Sequence, residues 1–183
     1  MTESMCIRNR VAAAIAAGCA GLALASAASA VDLRDWGRKV PASERFVVLA
    51  QFSNQAVLDK ETQLVWERAP HRYSLDWVSA DEKCSSAPTG GRFAWRLPSR
   101  FELMSLLDPA ASSSVKLPSG HPFVGVDPNL VYAPKTVFWT SNNSTDPFQD
   151  DHKVAVDIAS AELFAGPLTQ LEARPWCVRG HSE

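Results

Sequence analysis

The sequence predicts an α+β domain, and two observations support this fold class. Short runs rich in Val, Phe and Trp, separated by turn residues, indicate strands. Two other segments, 76–87 and 99–107, have the apolar spacing and the start and stop signals of helices. The 183 residues contain no internal repeat and no coiled-coil heptad pattern.

The first 30 residues predict a signal peptide. Arg8 and Arg10 precede an uncharged run rich in Ala and Leu, and residues 28–30 have the small-x-small pattern that signal peptidases cleave. This run is shorter than the roughly 20 apolar residues that a membrane span needs. We therefore expect cleavage after Ala30, a secreted or periplasmic protein, and no stable membrane insertion. The alternative is a lipoprotein processed at Cys19.

The length and net charge of the mature chain limit the class of protein it can be. Residues 31–183 fit one domain with a real core, in which 31–56 form an N-terminal arm with the first strand and 57–180 form the main domain. Removal of the leader leaves 16 basic and 19 acidic residues, a net charge of about −3. This balance argues against a nucleic-acid partner, which requires a basic face.

Cysteine usage gives a further constraint. Cys84 and Cys177 are the cysteines that remain after cleavage. An oxidising compartment favours their pairing, and the chain-entropy model assigns about 4.5 kcal/mol to a loop of this length. The alternative is two separate buried thiols.

The first elements form a strand and a hairpin. Residues 45–52 are a strand candidate, and 57–58 pair with 64–66 across the turn 59–62. Asp59 begins this turn and is expected to accept hydrogen bonds from the backbone beyond it.

Two helices follow. In the first, Trp77, Val78, Ala80 and Cys84 have helical spacing, with Ser74 or Asp76 as the N-cap. In the second, Ser99 and Glu102 fit a capping box, and Asp108-Pro109 ends the helix. Its expected buried face consists of Phe101, Leu103, Met104 and Leu107.

The second half of the chain alternates between irregular segments and strands. Residues 110–134 are rich in Ser, Pro and Gly and predict a long irregular excursion. Strands are expected at 136–140, 154–158 and 174–179, with an exposed polar loop at 142–153.

Four segments, read in order, resemble one family. Val57–Glu67 is similar to its opening hairpin "D-x-x-T-G-L-x-W-E", with Gln63 where Gly is usual, and Trp95–Leu103 is similar to its core motif "W-R-L-P-T-x-x-E-L". Phe138–Ser141 resembles its "Y-W-S-S" strand, and Trp176–Gly180 resembles its closing "R-C-V-R-G". The family is the Lcl C-terminal domain family, and the resemblance extends over residues 57–180.

The resemblance implies a C-type-lectin-like fold, in which two helices pack on a twisted, mostly antiparallel sheet. It also implies one long-range disulfide, between Cys84 in the first helix and Cys177 in the last strand. Known roles in the family concern adhesion, including binding to sulfated polysaccharides.

Candidate site residues fall into two groups. The structural motif comprises Trp95, Arg96, Leu97, Pro98, Glu102 and Trp139. Within it, Arg96 and Glu102 are interpreted as an ion pair that fixes the helix start, with direct ligand contact as the alternative. The ligand-binding candidates are Asp146, Gln149, Asp150 and Asp151, in the loop that corresponds to the long ligand-binding loop of C-type lectins.

The acidic loop has two interpretations, a calcium site or a solvated loop without a metal. Clustered carboxylates and amides could supply its oxygen ligands, but the Glu-Pro-Asn and Trp-Asn-Asp signatures of sugar-binding lectins are absent. We therefore expect a solvated acidic loop, no metal and no cofactor.

These features favour an exported binding or adhesion module with a glycan or protein ligand. One alternative is a structural interaction component of an envelope assembly. Another is a divergent enzyme related to the formylglycine-generating enzymes, which need reactive cysteines. No catalytic motif is found, so we expect no enzymatic activity.

Overall fold

The computed structural model describes residues 39–127, 136–145 and 151–180, so the signal peptide and the arm before Lys39 lie outside the described residues. Its helices are α1 (Ala42–Arg45), α2 (Trp77–Ser85) and α3 (Arg100–Ser105), with 3-10 turns at Ala50–Phe52 and Thr89–Gly91. Its strands are β1 (Phe46–Val48), β2 (Ala56–Asp59), β3 (Leu64–Glu67), β4 (Val137–Asn143), β5 (His152–Asp157), β6 (Glu162–Pro167) and β7 (Val178–Arg179).

The strands form two antiparallel sheets, in the orders β1-β2-β3-β7 and β4-β5-β6. The predicted α+β class with antiparallel pairing is confirmed, but two sheets are present where one was expected. The reason lies in the last strand candidate, 174–179. Arg174 bridges β4, whereas β7 pairs with β3, and Pro175 between them lacks the N–H that a continuous ladder requires.

The four-stranded sheet separates two apolar clusters. Side chains alternate along a strand, so Trp66 and Trp176 pack on one side and Cys177 packs on the other. The first cluster includes Phe46, Leu103 and Phe138, and the second includes Ala80, Trp95 and Trp139. Both clusters contain fully buried aromatic rings, which fix the position of the sheet between them.

Helix α3 has the predicted capping box but not the predicted buried face. The Ser99 hydroxyl accepts from the Glu102 N–H, and the Glu102 carboxylate accepts from the Ser99 N–H. Phe101 is 67% exposed and Met104 is 37% exposed, so their assignment to the core was wrong. A helix of six residues turns one narrow stripe inward, and here Leu103 and Leu106 occupy it.

The β4–β5 hairpin corrects the prediction of an exposed loop over 142–153. Strand β4 continues to Asn143, which pairs with Lys153, so both ends of that segment belong to the sheet. Strand β6 was not predicted, because its residues 162–165 are exposed and show no alternation of buried and exposed positions.

Residues 110–127 contain no helix or strand, in agreement with the predicted irregular excursion. The first strand candidate, 45–52, is shorter than expected, because the chain leaves β1 after Val48 and forms a 3-10 turn. None of the helices in the described part of the chain is long and apolar enough to cross a membrane.

Candidate ligand-binding site

The disulfide between Cys84 and Cys177 is present, with the two Cα atoms 5.3 Å apart. Both cysteines are buried, and Cys84 lies one turn after the buried Ala80 on α2. The bond therefore joins α2 to the segment before β7, as the resemblance implied. It lies on the opposite side of the sheet from Trp176, as strand alternation requires.

The Arg96–Glu102 ion pair is bidentate and satisfied from within the fold. Arg96 donates from Nη1 to Glu102 Oε2 (2.8 Å) and from Nη2 to Oε1 (2.7 Å). Burial alone would raise the pKa of Glu102, but hydrogen bonds from Arg96 and the Ser99 N–H outweigh it and lower that pKa below its ordinary value. This arrangement supports the structural interpretation over direct ligand contact.

The remaining motif residues lie in the core. Trp95, Leu97, Pro98 and Trp139 are buried, and the Trp139 indole donates to the carbonyl oxygen of Leu75 (2.8 Å). Their side chains are therefore not available to a ligand, which agrees with their interpretation as a structural motif.

Among the acidic-loop candidates, Asp146, Gln149 and Asp150 lie outside the described residues. The Asp151 side chain is 70% exposed, and its Oδ1 lies 2.8 Å from Nδ1 of His152. Over the ranges that the structure describes, no three His, Cys, Asp or Glu side chains come together as metal ligands. The expectation of a solvated acidic loop without calcium stays a prediction.

Trp77 is held at the base of this hairpin. Its indole donates to the carbonyl oxygen of Thr140 (2.8 Å), and the Lys153 ammonium lies 4.0 Å from its ring centroid. Trp77 is half-buried and packs at the edge of the second apolar cluster.

Sequence reasoning missed a group of side chains that we call the cationic cluster, which consists of Phe52, Arg92 and Arg179. The guanidinium carbons of Arg92 and Arg179 lie 6.0 Å and 5.9 Å from the centroid of the Phe52 ring. Two arginines from distant parts of the chain therefore converge on one aromatic ring.

Local packing fixes the Phe52 ring. It meets Trp95 edge to face, with 6.3 Å between the ring centroids. Gly90 adopts a φ of +64°, and a Cβ there would lie 2.6 Å from the Cβ of Phe52. Only glycine allows this approach of the two 3-10 turns. The Gln55 side chain adds a hydrogen bond from the Gly90 N–H (2.9 Å).

Arg179 ends a row of side chains that crosses the four-stranded sheet. Val47 lies opposite Leu58, Leu58 opposite Val65, and Val65 opposite Arg179. All four are half-buried, whereas Val57, Trp66 and Val178 from the same strands are fully buried on the other face. The row is an apolar strip about 14 Å long, because neighbouring strands are about 4.8 Å apart.

The cationic cluster has no compensating acid within residues 39–127, 136–145 and 151–180. Neither arginine takes part in an ion pair there, although the whole chain carries a net charge of −2. Phe93 follows Arg92 in the chain and is 66% exposed. The backbone at Arg92 is extended, so the Phe93 side chain points away from the Arg92 side chain, and the aromatic ring of the cluster itself is the half-buried Phe52. The adjacent Arg92-Phe93 pair was the one sequence signal that could have pointed to it.

The described geometry defines a disulfide-linked α+β domain with a cationic cluster around a half-buried aromatic ring. The family model of the Lcl C-terminal domain matches residues 55–179, which is most of the chain. The chain therefore belongs to this family, as the four motifs indicated. A search of curated proteins found no match.

Proposed function

We propose that this chain is an exported binding module that recognises an anionic glycan, of the sulfated polysaccharide kind, at the cationic cluster. The observation that carries the proposal is the convergence of two arginines without acidic partners on the Phe52 ring. The known adhesion roles of the family point the same way.

The chemistry of the cluster suits a sulfated ligand. A guanidinium presents parallel N–H donors that match the paired oxygens of oxyanions, and such charge-assisted hydrogen bonds are about twice as strong as neutral ones.

Export is the second part of the proposal and rests on the leader sequence. N-terminal sequencing or intact mass of the mature protein should place its first residue at Val31. A lipidated Cys19 in the membrane fraction would contradict this location.

We also propose that the domain is not an enzyme. A mechanism of the formylglycine-generating kind needs reactive cysteines, and both Cys84 and Cys177 are joined to each other in a buried bond. Counting free thiols in the purified protein tests this point, and a count of two would reopen the enzyme hypothesis.

The binding experiment uses immobilised heparin and the double variant Arg92→Gln/Arg179→Gln. We expect the dissociation constant to rise at least tenfold, because each charge-assisted hydrogen bond is worth about 1.5–3 kcal/mol. Affinity of the unmodified protein should fall with added salt, since the charges are exposed and screened. Desulfated heparin should bind weakly.

The matched control is Lys60→Gln/Lys83→Gln, which also removes two positive charges, both on exposed side chains. Heparin affinity should change less than twofold, and the melting temperatures of both variants should match that of the parent. Equal loss in the control and in the double variant would show nonspecific charge attraction and refute the assignment.

A specific feature also supports the alternative, an envelope component that docks on another protein. Strand β6 is an edge of its sheet, and Leu163 and Phe164 on it are 47% and 42% exposed. Exposed apolar edges are templates for strand pairing. Chemical crosslinking in cells through a photoreactive residue at Leu163 would capture a partner under this alternative, whereas heparin binding would then be weak.

A further inference from the structure

A cavity of about 530 Å³ lies within the irregular segment between Asp108 and Asp127. This volume falls in the range of roughly 300–1,000 Å³ that small-molecule sites occupy. None of the family motifs lies in this segment, and neither the cationic cluster nor the acidic loop contributes to its lining.

The segment is held open by contacts with the core. Val115, Leu117, Phe123 and Val126 are buried in the first apolar cluster. At one end, the Lys116 N–H donates to the carbonyl oxygen of Ile158. These contacts hold the segment against the core, and the cavity is lined by these apolar side chains together with polar ones from the same segment.

The polar lining contains four serines, and two of them make no internal hydrogen bond within the part of the chain that the structure describes. Ser112 and Ser119 line the cavity, and within the described ranges their hydroxyls have no hydrogen-bond partner. Asp127 adds a carboxylate that accepts from the Ser114 hydroxyl (3.4 Å). A hydroxyl can both donate and accept a hydrogen bond. The lining can therefore bind a ligand whose own groups both donate and accept hydrogen bonds.

His121 supplies both a ring surface and a polar nitrogen. Its ring lies 5.8 Å from that of Phe123, with 31° between the planes. Its Nδ1 is buried and finds no hydrogen-bond partner among residues 39–127, 136–145 and 151–180. Burial lowers the pKa of His121 below its ordinary value, so the ring is neutral at neutral pH.

The charges of the lining exclude an anion. No Lys or Arg lines the cavity among the described residues, while Asp108 and Asp127 do. The Asp108 carboxylate is paired with Lys39. We propose that this cavity binds a neutral sugar unit, held by serine, aspartate and imidazole hydrogen bonds over the floor formed by Phe123 and Val126.

The experiment is saturation-transfer NMR on the full chain with glucose, galactose, mannose and N-acetylglucosamine, each tested singly at millimolar concentration. At least one sugar should receive saturation. His121→Phe keeps the ring but removes the nitrogens, and it should reduce the transfer at least fivefold. No transfer to any of the four sugars would overturn the proposal.

Two further variants keep the result interpretable. Ser112→Ala/Ser119→Ala changes exposed side chains, so it should leave the melting temperature unchanged while reducing transfer at least fivefold. Unchanged transfer in this variant would overturn the proposal, even if His121→Phe failed to fold. Arg92→Gln/Arg179→Gln should retain the sugar signal, and its loss there would assign the signal to the cationic cluster and overturn the cavity site. Heparin binding should survive both cavity variants, so either proposal can fail alone.

Discussion

Asp59 is fully buried, and its carboxylate joins three parts of the fold. It accepts from Nε and Nη2 of Arg45 (2.9 and 2.7 Å) and from the Glu61 N–H and the Thr62 hydroxyl (both 3.0 Å). Arg45 also donates to the carbonyl oxygen of Ser105 (2.7 Å) at the end of α3. The hairpin turn, α1 and α3 are therefore tied together at one charge pair.

Asp59→Ala should lower the free energy of unfolding by about 3–5 kcal/mol, because it leaves the Arg45 guanidinium buried without its main partner. Glu61→Gln is the matched control. Glu61 contacts Arg45 at 3.0 Å but is 38% exposed, and losing such a pair costs roughly 1 kcal/mol or less. Urea denaturation measures both. Equal losses of unfolding free energy in the two variants would show that the buried ion pair stabilises the fold no more than the exposed one.

The sequence predicted half of this arrangement. That Asp59 would accept from the turn beyond it follows from local turn chemistry, and the Glu61 and Thr62 contacts confirm it. Its partner Arg45 lies 14 residues earlier, and no local rule selects one arginine among those available. The same limit hid the cationic cluster, because Phe52, Arg92 and Arg179 meet only once the sheet and both 3-10 turns have formed.

Among the elements, α3 shows how a short helix depends on its start. The capping box satisfies two backbone N–H groups at once, and six residues alone are too short for a stable helix. Ser99→Ala should therefore cost about 1 kcal/mol of unfolding free energy, measured by urea denaturation. Ser105→Ala, which removes a hydroxyl at the other end of the helix, is the control and should cost less.

The revised buried face of α3 gives a second prediction for this element. Leu103→Ala should cost about 2–5 kcal/mol, because Leu103 is fully buried. Phe101→Ser should change stability by no more than roughly 0.5 kcal/mol, because its side chain is at the surface. A larger loss of unfolding free energy for Phe101→Ser than for Leu103→Ala would show that Phe101 lies in the core, as the sequence had suggested.

Elements with strong local signals were predicted, and the others were not. The capping box, the Asp76 N-cap and the β2–β3 hairpin follow from short-range hydrogen bonding and were found in place. Strand β6 is stabilised by pairing with β5 instead of by its own apolar pattern, so periodicity could not reveal it. Helical spacing alone also could not choose which stripe of α3 faces inward.

At the scale of the whole molecule, two glutamates make the free energy of unfolding depend on pH in opposite directions. Burial raises the pKa of Glu67 above 4.5, its ordinary value, despite hydrogen bonds from the Thr89 hydroxyl and the Cys177 N–H. The folded state then binds the proton more tightly than the unfolded state. The stability that Glu67 contributes is present at low pH and falls as pH rises through its folded-state pKa.

Glu67→Gln should remove this dependence, so the free energy of unfolding of the parent should fall relative to that of the variant as pH rises above about 4.5. Glu102→Gln should behave in the opposite way. The pKa of Glu102 is lowered on folding, so its contribution is present at neutral pH and is lost as pH falls through the folded-state value. Parallel pH profiles for the two variants would contradict both assignments.

The disulfide acts on the whole fold. Cys84→Ser or Cys177→Ser should lower the free energy of unfolding by about 2–5 kcal/mol, measured by urea denaturation. Heparin affinity, measured where the variant is still folded, should be unchanged, because neither sulfur faces the cationic cluster's solvent side. A loss of affinity without a loss of folded protein would contradict a purely structural role.

The segment from Ala173 to Arg179 touches almost every other part of the domain, and this sets an order of events in folding. It bridges β4, pairs with β3, closes the disulfide and places Trp176 between Trp66 and Phe138. All these contacts join residues far apart in the chain, and such contacts form late and slowly. A chain that emerges from its N-terminal side can build the β2–β3 hairpin early, but it leaves both apolar clusters open until this segment follows. The domain therefore stays incomplete until nearly all of the described residues have emerged.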